Sequence, residues 1–199
     1  MRHSLPLLLL VKAAQNQNGL KQSDYARYHQ YCTRRMLRLR KQLGFTQHAV
    51  QSRKAVFVRK EVSSDLVKED VRYLQIMLFK VEADWSYAMM LKQRSTMKNA
   101  KFNTTRARVH AIKRFKRASQ SAGSLFREDL DPLSQLEVEA YQLQIKASYS
   151  MEVHHFEEAL DDLLKAKFIY EKIQSTKDEL DAAIYVERQQ HIDTFVRLC

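Results

Sequence analysis

The chain has three glycines and two prolines in 199 residues. Average usage would supply roughly five times as many. Backbone breakers that scarce exclude a turn-rich sandwich or barrel, and they exclude a glycine-rich phosphate loop. Long helices joined by few connections remain. Hydrophobic residues make up 45% of the chain, enough for a packed core, so general disorder is excluded as well. The length predicts a single domain over 1–199.

The formal net charge is +11, and it is divided unevenly. Residues 1–120 hold 26 Lys and Arg against 7 Asp and Glu, whereas residues 121–199 hold 8 against 16. The first part is built to meet an anion. The second is built to be solvated or to meet something else.

Cys32 and Cys199 form no disulfide framework and no paired metal motif, which predicts a reducing compartment. The apolar run Leu5–Val11 follows Arg2 and His3 but lacks a cleavage site, and Lys12 ends it. It reads as the buried face of a first helix rather than a signal peptide, and it is too short to cross a bilayer.

Pro6 and Gly19 bracket a first helix over 6–17. Ser23 or Asp24 caps a second that runs to Leu43, with Gly44 as its stop. Residues 45–63 read as a basic connector. Ser64 or Asp65 opens a central helix to Lys92, with Leu74, Met77, Leu78, Val81, Trp85, Ala88 and Met89 at helical spacing. A fourth helix covers 104–119, and 119–124 reads as a loop. Asp131-Pro132 is a strong helix start, and helices follow over 132–151, 154–174 and 177–198. Ile184–Leu198 stays helical almost to the last residue, so the chain is expected to be a fragment of a longer one.

Tyr25, Tyr28, Cys32, Met36, Leu39 and Leu43 form one apolar stripe on the second helix. At 100° per residue, Arg27, Arg34, Arg38 and Lys41 share an arc of about 60° on the other side. Arg35 and Arg40 flank them. No carboxylate interrupts 25–60. Ordinary solvated faces mix signs because like charges four residues apart repel, so an unmixed row points to an anionic partner. Arg106, His110, Lys113 and Arg117 repeat the pattern on the fourth helix, with Arg108, Arg114 and Lys116 widening it. Val109, Ile112, Phe115 and Ala118 are expected opposite. Rigid arginine faces suit nucleic acid better than a membrane surface, because arginine offers planar, bidentate donors to phosphate and stacks on bases. A membrane helix would also need its apolar side free of the core.

The run from Tyr28 to Lys41 resembles the arginine-rich stretch of the sixty-eight-kilodalton subunit family of the eukaryotic signal recognition particle. Asn18-Gly19-Leu20 is similar to that family's first inter-helix turn. Ala83-Asp84-Trp85-Ser86-Tyr87-Ala88 continuing to Gln93 resembles its Trp-Ser-Tyr-Ala-Met helix, and Ala140–Ile173 resembles its tetratricopeptide-like hairpin. The matches keep the family's order and cover nearly the whole chain. The resemblance implies an all-α fold of antiparallel, tetratricopeptide-like hairpins. It implies docking on the S domain of the particle's RNA, near the three-way junction, where an arginine-rich helix enters an asymmetric internal loop and remodels it. Arg34, Arg35, Arg38, Arg40 and Lys41 match that helix, and Arg106 to Arg117 match a second basic segment more loosely. Arg53 and Lys54 stand in the connector, which departs from the family pattern. The resemblance further implies work in the cytoplasm in support of targeting to the endoplasmic reticulum, assembly in the nucleolus, and a seventy-two-kilodalton protein partner held mainly through chain beyond residue 199.

Phe156, Ala159, Leu163 and Ala166 have the spacing of the second helix of a tetratricopeptide unit, with Ala147 where glycine often stands. A lone repeat reads as a hairpin that completes the core. His154-His155 point to different sides of a helix and do not chelate together. Cys32, Trp85 and the methionines read as packing residues. No nucleophile elbow, phosphate loop or zinc-protease motif is present. The expectation is a scaffold without catalysis, cofactor, metal, small-molecule substrate or membrane insertion. The reading from another class is a helical-repeat adaptor that binds an acidic protein segment.

Overall fold

A computed structural model of the protein describes residues 3–47, 60–96, 104–125, 130–177 and 179–199, with 179–180 as backbone only. Arg53 and Lys54 lie outside the described residues, as does the stretch from Met97 to Asn103.

Eight α-helices hold the described residues: α1 (Leu7–Gln17), α2 (Tyr25–Gln42), α3 (Ser64–Glu69), α4 (Arg72–Thr96), α5 (Thr104–Gly123), α6 (Pro132–Glu152), α7 (Phe156–Gln174) and α8 (Glu179–Val196). A single 3-10 turn, Leu20–Gln22, joins α1 to α2. From α4 onward each helix packs on the next, as antiparallel hairpins, and α2 packs along the free side of α4. The order across the layer is therefore α2, α4, α5, α6, α7, α8. The all-α hairpin architecture is as expected.

The local chemistry explains most boundaries. Asp24 caps α2, accepting the Arg27 N–H at 2.9 Å. Gly44 ends it with φ +62°, and the Phe45 and Gly44 N–H groups return to the carbonyls of Arg40 and Lys41. Asp131 caps α6 through the Ser134 N–H, with Pro132 in the first turn. Gly19, at φ +99°, lets the chain pass so close to α2 that a Cβ would stand 3.1 Å from the Arg27 side chain.

The central helix runs past Lys92 to Thr96, and two further boundaries differ from the sequence reading. The central helix expected over 64–92 is broken at Asp70, whose backbone is extended. Its carboxylate takes the Arg72 N–H and Arg72 Nε, each at 2.8 Å, and so restarts the helix as α4. That arginine also holds the carboxyl below its usual range. The loop expected over 119–124 is helical to Gly123, because Ala118 and Ala122 are fully buried and packing overrides the weak helix preference of the serines.

The core is organised around a buried carboxylate. Glu82, 1% exposed at the middle of α4, accepts the Tyr28 hydroxyl from α2 at 2.6 Å. It also accepts the Tyr141 hydroxyl from α6 at 2.5 Å and the Gln15 amide from α1 at 3.1 Å. Four helices thus converge on one side chain, and every partner satisfies it rather than leaving a bare charge. Glu137 plays a similar part on α6, accepting the Leu8 N–H and the Tyr185 hydroxyl of α8. Together with the Leu5 N–H to Ser134 Oγ bond at 2.8 Å, these contacts seat the N-terminal segment against α6 and α8.

Tyr28 and Tyr141 are pushed well above the ordinary phenol range, first by burial and then by the Glu82 charge. Cys32 is fully buried, and burial pushes its thiol up rather than activating it, as a packing cysteine requires. Ala147, Ala159, Leu163 and Ala166 close the α6–α7 hairpin. Phe156, expected with them, is 40% exposed at the first position of α7.

Candidate nucleic-acid interface

The second helix delivers one uninterrupted cationic face. Tyr28, Cys32 and Leu39 are buried against α4, with Tyr31, Met36 and Leu43 packed around them. That fixes the opposite side outward, and Arg27, Arg34, Arg38 and Lys41 are all exposed. Among the described residues no salt bridge engages Arg34, Arg38 or Lys41. A shallow hollow of about 550 Å³ lies against this face, lined by Asn18, Arg27, Gln30, Tyr31, Arg34 and Arg38. Arg35 is half-buried, with its guanidinium 5.9 Å from the Phe79 ring.

Arg40 does not join the row. It is 8% exposed, and its guanidinium stands 5.2 Å over the Phe45 ring. On the wheel it lies about 120° from Arg34, toward the apolar stripe, so its stem follows the packed side. The cation thereby covers the aromatic residue that follows the helix stop, and it reads as part of the fold.

The fifth helix gives the second face. Ala111, Phe115, Ala118 and Ala122 are buried, while Arg106, His110, Lys113 and Arg117 are exposed along one side. Val109, expected on the packed side, is 47% exposed, because it falls nearly opposite Ala118 on the wheel. Ile112 is half-buried. Arg108 turns away from the row and meets His154 Nε2 at 2.8 Å, tying α5 to the α6–α7 turn.

Between the two faces runs α4, and three of its residues belong to the site although the sequence reading did not single them out. Asp84, 6% exposed, accepts Arg114 Nη1 at 3.0 Å and faces Arg117 Nε at 3.1 Å. It is the acid that orders two arginines of α5. Tyr87 lies under the Arg114 guanidinium, 4.8 Å from ring centre to cation, and meets the His29 ring of α2 at 5.1 Å. Lys80 lines a groove of about 390 Å³ with Arg40, Lys60, Glu61, Arg117 and Gln120. The available signal was Asp84 itself, a carboxylate inside an apolar helix that neighbours a basic one.

The two cationic faces stand on helices that both pack on α4, so α2 and α5 each lie one helix spacing, roughly 8–10 Å, from it. The acidic side chains of the second half stand elsewhere. Glu157, Glu158 and Asp161 are exposed at the start of α7, where negative charge suits the helix N-terminus. Charge is therefore segregated in space as well as along the sequence. An ordered row of guanidinium groups recognises phosphate oxygens and tracks a polyanionic backbone.

Residues 20–199 match the family described as RNA-binding signal recognition particle 68. The chain is 34% identical over 202 residues to signal recognition particle subunit SRP68 of Dictyostelium discoideum, an alignment covering 98% of this chain and 31% of that protein. It is 33% identical over 204 residues to the subunit of the same name from Caenorhabditis elegans, covering 97% of this chain and 32% of that one. The chain spans about a third of the length of these relatives. The solved structure of the SRP68-RBD from Chaetomium thermophilum has a TM-score of 0.81 to this fold at 19% identity, covering 98% of this chain and 89% of that one. At that identity the likeness carries the fold. Sequence and fold agree, and the chain belongs to the RNA-binding signal recognition particle 68 family.

Proposed function

We propose that this chain binds the RNA of the signal recognition particle through the outward faces of α2 and α5, as a scaffold without catalytic activity. The observation that carries this reading is the face formed by Arg27, Arg34, Arg38 and Lys41, exposed and free of carboxylates on a helix whose other side is committed to the core. Arg106, His110, Lys113, Arg114 and Arg117 extend the surface on α5. Phosphate contacts supply the affinity, and fit to an opened RNA junction supplies the selectivity.

The A-form major groove is too narrow to admit a helix unless a bulge or internal loop widens it. The family resemblance, not the groove geometry, names the opened element as the S domain near its three-way junction and asymmetric internal loop, with α2 entering the widened groove and remodelling it. Work in cytoplasmic targeting to the endoplasmic reticulum, assembly in the nucleolus and the seventy-two-kilodalton partner belong to this proposal through the family. The test is a binding titration near physiological salt, comparing S-domain RNA with an unrelated duplex of equal length. Tight, junction-dependent binding supports the reading. Equal and steeply salt-dependent binding to both RNAs overturns the particle assignment and favours an adaptor for an acidic protein segment.

A further inference from the structure

Arg114 is held differently from every other cation of the two faces. Its Nη1 is bonded to Asp84, and its guanidinium carbon stands over the Tyr87 ring, 4.8 Å from the ring centre. Asp84 is itself buried, and Arg117 Nε pairs with its second oxygen at 3.1 Å. Tyr87 is half-buried beside the small cluster of Ala88, Leu91, Ala111 and Phe115 that joins α4 to α5. On its α2 side, His29 is anchored to the Ala83 carbonyl at 2.8 Å. The guanidinium is therefore held between a carboxylate and an aromatic ring, while its side chain keeps 38% of its surface in solvent.

A phosphate contact needs in-plane N–H donors and no flat support. A supported plane with a second, outward face is the geometry on which a nucleic-acid base stacks. We infer that the Tyr87–Arg114 pair is a stacking platform for one unpaired RNA base, at the seam between α4 and α5. Lys113 and Arg117 flank it on the same helix and take the phosphates on either side of that nucleotide. A base inside a duplex has both faces covered by its neighbours and cannot use the platform. The site thus adds a selection for unpaired nucleotides that the charge of the two faces lacks. This inference rests on the RNA-binding reading above and names what one part of that surface takes.

The test is a coupling measurement on the whole chain with S-domain RNA. Each unpaired junction nucleotide is replaced in turn by an abasic one, which keeps the phosphate and removes the base. Binding is measured for the wild-type chain, for Arg114→Lys, which keeps the charge but loses the plane, and for Tyr87→Leu. Helicity by circular dichroism verifies that each variant is folded. The expected result is one position at which base removal weakens wild-type binding about tenfold and weakens Arg114→Lys and Tyr87→Leu by less than about twofold. Equal losses in wild-type and Arg114→Lys at every position overturn the platform while leaving RNA binding standing. Failure of the wild-type chain to bind the intact RNA overturns the RNA-binding reading and the platform with it.

Discussion

The Tyr141 hydroxyl of α6 donates to Glu82 of α4 at 2.5 Å, inside a core that also brings Tyr28 and Gln15 to the same carboxylate. The contact spans a helix pair that is not consecutive in the layer, so it ties the hairpin carrying the acidic half to the helix between the basic faces. Tyr141→Phe keeps the ring and removes only the donor. The expected cost is about 1–2 kcal/mol, since Glu82 retains two partners and is not left bare. Thermal unfolding measures the loss. RNA affinity below the transition should stay within about twofold, because the site's side chains are untouched.

Arg40 and Arg38 stand two residues apart and are expected to behave oppositely. Arg38 is exposed on the cationic row, whereas Arg40 is buried over Phe45. Arg40→Ala should lower stability by about 1–2 kcal/mol through lost packing and cation–π contact. Arg38→Ala should leave the melting temperature within about 2 °C and weaken RNA binding instead. Parallel melting curves and titrations of the two variants check this, and a larger stability loss in Arg38→Ala would reverse the assignment.

His191 gives the fold a pH dependence. Its ring packs on Phe195 at 4.9 Å on an otherwise exposed position, and partial desolvation, reinforced by Arg188 and Lys12, lowers its pKa to about 4, with Glu187 opposing. An imidazole in the unfolded chain takes up its proton near pH 6.5. Between about pH 6.5 and 4 the unfolded state therefore binds a proton that the folded state refuses, and stability falls with acidification across that window. The contribution is fully present above pH 6.5. His191→Gln should flatten the dependence of melting temperature on pH over that window, whereas parallel slopes for the two proteins would count against a ring held neutral by its neighbours.

Much of this architecture is legible in the residues. Asp24, Gly44 and Asp131-Pro132 mark helix ends by local chemistry, and local chemistry does not wait for tertiary context. Asp70 was harder, because an acid in the charged run Lys68-Glu69-Asp70-Val71-Arg72 reads equally well as a solvated helix position. Only its bonds to Arg72 show it breaking the helix. The row Arg27, Arg34, Arg38 and Lys41 followed from periodicity alone, since the apolar stripe opposite fixes it.

Arg40, expected to flank the row, packs over Phe45 instead, because long side chains near a face boundary can turn either way. Asp84 and Tyr87 act through α5, and no spacing within α4 announces a partner on another helix. The same holds for Glu82, whose four-helix junction exists only once the core is assembled.

The central claim is that the free arginine face of α2 holds the RNA backbone. The most direct measurement is a titration of S-domain RNA at several salt concentrations, comparing the wild-type chain with the double variant Arg34→Ala, Arg38→Ala. The account predicts an intact helix content, a large loss of affinity, and a salt slope shallower by about 1.5 to 2, as two fewer phosphates release their counterions. Unchanged affinity and unchanged slope in a folded double variant would contradict it.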